Sequence, residues 1–305
     1  MDFTRWLRIP APVTAIIAAT VLFGIATPVL KILLFQVTPL LLVALLSLGA
    51  SSGVLCWMVV CRSDFASLAH RDIRSRERYL LAGTVITGGL LAPAVQYSSL
   101  AVTPAATASL LLNFEIVSTI LIACLLFRET AGLRIGVALT AIFIGSILLS
   151  WNGGGVFDFS IGAAGIILSC LLWGLDNNCI GRISSLPPEM IVVIRGLCGG
   201  SIAGVLVILF HEPFPGWGPV TLALITGFIS FGLGLVLFIR ALRTMGAARA
   251  GTVFAAAPFI GCIASLLVFA DPLTGLFWVA LPFFIIGALL IIREQWVGRP
   301  LVWGK

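Results

Sequence analysis

The most restrictive feature of this chain is a series of apolar stretches, each about 20 residues long, that recur from end to end with only short polar breaks. Inside lipid no water is available to pair a backbone amide or carbonyl. A stretch of that length must therefore satisfy its own backbone, and an α-helix does so. Reading hydropathy with breaks at proline, glycine and charge predicts ten spans, at 12–34, 39–61, 79–100, 103–127, 133–150, 160–182, 188–210, 218–241, 247–270 and 274–292. With 60% hydrophobic and 10% charged residues and a mean hydropathy of +1.17, the chain is far from the roughly 25% charge of a soluble domain. No interval between spans is long enough for such a domain. The expected class is an all-α integral membrane protein of ten transmembrane helices, with the lipid bilayer as its first partner.

Several functions fall away on chemistry. The net charge of +6 comes from arginines scattered through short loops; they form no basic face or arm, so no nucleic-acid partner is expected. Seven cysteines, an odd number without a CxxC pair, give neither a disulfide framework nor a zinc site. The two histidines, His70 and His211, lie far apart, and metal ligation needs clustered ligands. No metal or other cofactor is expected. The only lysines, Lys31 and Lys305, sit in no GxxxxGK[ST] loop, which argues against an ATP-driven pump. Arg5 and Arg8 ahead of the first apolar run resemble the start of a signal peptide. Cleavage is not expected, because that first span has a counterpart later in the chain.

Orientation follows from the basic residues, which favour the cytoplasmic side. With the N-terminus inside, one face collects Arg5, Arg8, the loop arginines at 62–78, Arg128, Arg134, Arg182, Arg240, Arg243, Arg249, Arg293, Arg299 and Lys305. That is sixteen of the eighteen. The opposite loops at 99–102, 151–159, 211–218 and 271–272 hold none. Lys31 lies near a helix end, from which it can snorkel; Arg195 lies deep in the seventh span. Both termini are expected in the cytoplasm.

The chain also repeats itself. Shifted by 142 residues, Ala105, Ala106 and Ala108 meet Ala247, Ala248 and Ala250, Phe127 meets Phe269, and Gly145 meets Gly287. A shift of 150 lays VLFG at 21–24 on LLWG at 171–174, and one of 151 lays Gly49 and Gly53 on Gly200 and Gly204. Five spans is an odd number, so the second copy must enter the membrane from the other side. The charges invert in step: Arg128 pairs with Ala270, while Arg243 and Arg249 pair with Ala101 and Thr107. Drift among apolar helices would not invert the arginines. Two five-helix repeats are expected, 1–150 and an inverted 151–305, the hallmark of secondary transporters with a midplane site.

A small-rich helix, an apolar run, an acidic turn and another apolar helix, present twice, resemble the drug/metabolite transporter superfamily and its EamA-type branch of five-plus-five helices. The first copy carries Glu115-Ile116 and Arg128-Glu129, keeping the acid and losing a proline; the second carries Ala257-Pro258 and Ala270-Asp271, keeping the proline and losing the acid. The resemblance implies a carrier of small metabolites, often an exporter of amino acids or toxic compounds, in a bacterial inner (plasma) membrane.

Charged groups at membrane depth cost about 2.5–3.5 kcal/mol each on insertion scales, and so tend to face a cavity or a partner. Three stand out: Glu115, Asp176 and Arg195. Glu115 is a candidate proton or substrate-amine site, and Arg195 a candidate clamp for a substrate carboxylate. The structural alternative is an ion pair locking the halves, Arg195 with either Glu115 or Asp176. Gln96, Tyr97, Asn113 and Trp173 are candidate walls of a polar cavity; helix-to-helix bonding serves them equally well. Gly49/Gly53 and Gly196/Gly200/Gly204 have spacing suited to close packing. Pro28, Pro93 and Pro258 lie inside apolar spans and favour kinks or gating points.

The expected function is secondary transport of a small metabolite, an amino acid or an amphipathic drug-like compound. The expected direction is export, by alternating access with protons as candidate coupling ion. The alternative is a membrane enzyme or channel acting on lipid or ions. An enzyme would want convergent His, Asp or Glu groups, and no catalytic residues are assigned.

Overall fold

The structure is a computed structural model that describes residues 12–60, 75–128, 132–151, 160–183, 185–245, 247–270 and 273–297. Arg5, Arg8, Arg62, Arg71, Arg74, Glu129, Asp271, Arg299 and Lys305 lie outside them. Ten helical spans run in the expected order: α1 (Pro12–Leu33), α2 (Pro39–Val60), α3 (Ser75–Ala101), α4 (Ala105–Leu111, then Phe114–Phe127), α5 (Leu133–Ser150), α6 (Ile161–Ile180), α7 (Pro188–Leu209), α8 (Trp217–Met245, in three segments), α9 (Ala247–Phe254, then Ala257–Phe269) and α10 (Gly275–Val297). Among the described residues nine helices are long and apolar enough to cross a membrane; the tenth span, α9, is interrupted.

Local signals set the ends. Pro39 and Pro188 open α2 and α7, where the missing amide costs nothing. Ser160 caps α6 by accepting from the Ala163 amide at 3.3 Å. Arg128 and Ala270, which meet under the 142-residue shift, both close their helices in the left-handed region, at φ 55° and 49°. The interruptions correspond in the same way. A π-helical segment occupies Thr87–Leu91 in α3 and Gly227–Leu233 in α8, the two ending 142 positions apart. The breaks in α4 and α9 also fall at matching places.

The helices pack through α2 on α7 and α5 on α10, with α4 on α6 and α9, α1 on α8 and α9, and α3 on α6. The π-segment of α3 lies on α7, and that of α8 lies on α2. Exchanging α1–α5 with α6–α10 returns this same set of pairings. Without a hydrophobic force between helices in lipid, small residues let the backbones close. A Cβ on Gly49 would sit 2.3 Å from the Leu224 carbonyl oxygen of α8, and one on Gly196 would sit 2.6 Å from that of Ser47 on α2. Gly204 departs from the packing expectation, since a Cβ there would meet nothing within 4 Å.

α1 is continuous through Pro28. The carbonyl of Gly24, which proline cannot engage, lies 2.8 Å from where a Cβ of Gly261 would stand, so α9 covers it closely. Lys31 donates to the carbonyls of Leu100, Ala101 and Thr103 at 2.7–2.9 Å, facing the negative end of α3. At the arginine-rich helix ends Arg240 pairs with Glu189, Arg243 donates to the carbonyls of Ile183 and Leu186, and Ser185 donates to Glu77. Large apolar side chains such as Leu125, Leu133 and Val60 face outward, as a lipid-exposed belt requires.

Candidate functional site

Between the halves lies a cavity of about 130 Å³, room for a cluster of waters or a compact solute. Eight helices supply its walls, α1–α4 and α6–α9, whereas α5 and α10 contribute no lining residue. Of the ten candidate residues, Glu115, Arg195, Asp176, Gln96, Tyr97, Trp173, Pro93 and Pro258 line this cavity. Asn113 does not. It is fully buried at the break in α4, with its amide turned back to the Leu110 carbonyl at 2.9 Å. Pro28 also stays out of the wall.

One wall is polar and is built by α3, α4, α6 and α7. Arg195, only 7% exposed, places Nη2 3.2 Å from Asp176 Oδ2 and donates to the Gly88 carbonyl at 2.8 Å. That carbonyl is free for a reason written in the sequence. In the π-segment the Ala92 amide bonds the Thr87 carbonyl. The next donor in that register belongs to residue 93, a proline without an N–H. Pro93 therefore supplies an acceptor to Arg195, beyond the kink expected of it. The guanidinium also sits 5.2 Å from the Trp173 ring, within cation–π range. The indole N–H of Trp173 donates to Gln96 Oε1 at 2.7 Å, tying α6 to α3.

Glu115 stands apart from this pair. Its Oε1 accepts from Asn177 Nδ2 at 2.7 Å, and Asn177 also reaches Thr119 Oγ1 at 3.4 Å. Of the two ion pairs open to Arg195 in the sequence, the structure forms the one with Asp176. Asp176 is 1% exposed, and among the described residues its Oδ1 has no hydrogen-bond partner. With Asp176 matched to Arg195, Glu115 is left as the unmatched carboxyl of the wall. An arrangement of this kind attracts a cation or a proton.

The facing wall, from α1, α8 and α9, is aromatic. Phe23 meets Phe231 and Phe254 at ring separations of 5.7 and 5.2 Å, and Phe254 meets Phe238 at 4.5 Å. Sequence reasoning missed these phenylalanines along with Gly88 and Thr119. The repeat shifts carried a signal for two of the rings, since they lay Phe23 on Trp173 and Phe238 on Gln96.

Comparison with known proteins agrees with this architecture. The model of the EamA-like transporter family matches residues 11–151 and again 160–293. An uncharacterized transporter of Methanothermobacter thermautotrophicus (strain Delta H) is 24% identical over 283 residues, covering 85% of this chain and 79% of that protein. A protein of known crystal structure shares the fold with a TM-score of 0.62 at 17% identity, over 92% of this chain and 97% of the other. The chain is a multi-pass membrane protein and belongs to the EamA-like transporter family, within the drug/metabolite transporter superfamily.

Proposed function

We propose that this transporter is a secondary carrier that exports a small amphipathic metabolite bearing an amine, by alternating access, with protons as the coupling ion. The observation that carries the reading is the cavity itself: a wall with an unmatched carboxyl faces a wall of phenylalanine rings at membrane depth. Glu115 takes either a proton or the substrate ammonium, and that competition couples the two fluxes. The Asp176–Arg195 pair holds α6, α7 and the π-segment of α3 in register around it. The halves act as inverted repeats, 1–150 and 151–305, rocking about this site. The matched interruptions of α3 with α8 and of α4 with α9 support that reading, as does the inversion of the arginines. By the same arginine bias both termini lie in the cytoplasm of a bacterial inner membrane. No residue is assigned to catalysis, and the chain is read as no enzyme.

Flux into proteoliposomes tests this. Labelled phenylalanine and benzylamine are offered without ATP, with and without an imposed pH gradient. Exchange of at least one, accelerated by the gradient, is the expected result. Glu115→Gln should keep the protein folded and abolish the acceleration. An unchanged pH response in that variant removes the proton role; turnover of bilayer lipid without flux favours the enzyme alternative.

A further inference from the structure

The two walls occupy equivalent positions of the two halves. Under the 142-residue shift Gln96 falls on Phe238, Leu112 on Phe254 and Glu115 on Ala257; under the 150-residue shift Trp173 falls on Phe23 and Asp176 on Ala26. Every one of these ten residues lines the cavity. The fold therefore offers two related corners, and the sequence has made them chemically opposite. In one corner the two carboxyls, the indole of Trp173 and the amide of Gln96 are retained. In the other each counterpart is a ring or an alanine methyl, apart from Thr27, which stands opposite Asn177. Lost polarity alone would leave small residues. Here Phe23, Phe231, Phe238 and Phe254 form a connected chain of ring contacts at 4.5–5.7 Å. Gly234 gives Phe23 room to lie against α8, since a Cβ there would meet the ring at 3.1 Å.

We infer that this phenylalanine corner is the specificity-determining subsite, taking the alkyl or aryl tail of a substrate whose ammonium sits at Glu115. The inference rests on the amine reading of Glu115 given above. It adds that selectivity among amines is set by tail length, and that Phe238 and Phe254, remote in sequence from the polar wall, set it. Rings present a large apolar area at little conformational cost, so each methylene of a tail entering the corner leaves water for a preformed apolar surface.

The test uses the full chain in lipid nanodiscs, with ethylamine, n-butylamine and n-hexylamine as probes and empty nanodiscs subtracted. Wild-type protein should bind hexylamine about tenfold more tightly than butylamine, the gain of two methylenes. Phe238→Ala should bring that ratio toward one and leave ethylamine affinity within about twofold; Phe238→Leu, which keeps apolar bulk, should largely preserve the ratio. Glu115→Gln should weaken all three amines alike and keep the ratio. A wild-type ratio near one, with binding still dependent on Glu115, overturns the subsite and leaves the carrier reading in place. Length-dependent binding untouched by Glu115→Gln supports the subsite and overturns the amine role of Glu115. Equal loss of ethylamine and hexylamine binding in Phe238→Ala, with the melting temperature lowered, assigns the ring to packing and overturns the subsite. Binding of none of the three overturns both.

Discussion

Asp176 and Arg195 show how much a single buried pair can demand of its neighbours. Both are nearly sealed from the surroundings, and a Cβ on Gly88 would lie 2.3 Å from the Asp176 carboxyl and 2.5 Å from Arg195 Nη2. Gly88→Ala should therefore displace the pair and lower stability by about 1–3 kcal/mol, read as a fall in melting temperature in detergent. Arg195→Ala should cost more, about 3–5 kcal/mol, because it leaves a carboxylate uncompensated at depth. Replacing both partners, as in Asp176→Leu with Arg195→Met, should recover most of that loss. A double variant no more stable than Arg195→Ala would mean that the pair is not what the single change disrupts. The sequence made the charged residues conspicuous by their cost in lipid. Which acid faces Arg195 was not legible, because that depends on how α6 and α7 each pack on the π-segment of α3 and on a carbonyl freed by Pro93. Asn113 lies outside the cavity lining, with its amide N–H turned to the Leu110 carbonyl of its own helix.

At the scale of the helix, predicted and observed spans agree closely, from 133–150 for α5 to 188–210 for α7. Length and apolarity decide where a span can lie, and both are written in the sequence. The interruptions inside the spans were hidden. α4 breaks with no proline at the break, and the π-segments carry glycines and apolar residues with one hydroxyl side chain each, Thr87 and Ser230. Such segments persist where a neighbouring helix accepts the altered backbone, as α7 does for α3 and α2 does for α8. Close approach was legible as glycine spacing, yet the spacing did not separate the tight sites from the open one. Gly49→Val should be destabilising by about 2 kcal/mol or more, from overpacking against α8. Gly204→Ala should be neutral or stabilising by up to about 1 kcal/mol, from helix propensity alone. Thermal unfolding of the two variants side by side checks this; equal losses would discount the contacts described for Gly49.

Over the whole molecule, the division of labour is clear in the packing. α5 and α10 pair with each other and leave the cavity to the remaining eight helices. The arginine bias predicts a topology in which membrane-impermeant labelling of Arg76→Cys and Arg249→Cys finds both on the cytoplasmic side. The expected repeat was read from a few alanines and glycines, Ala105 with Ala247 and Gly145 with Gly287. The unlike chemistry of the two corners was not, because the meeting of distant positions around one cavity is a property of the packed bundle. Secondary transport through this site requires the cavity to open to each face of the membrane in turn. A cysteine at Ala50, a small wall residue outside the polar wall and the rings, can be introduced after the seven native cysteines are replaced. Its reaction with an impermeant thiol reagent is then followed in vesicles of both orientations. Labelling from either face, with no ion conductance across the bilayer, is the predicted result; labelling from one face alone would contradict it.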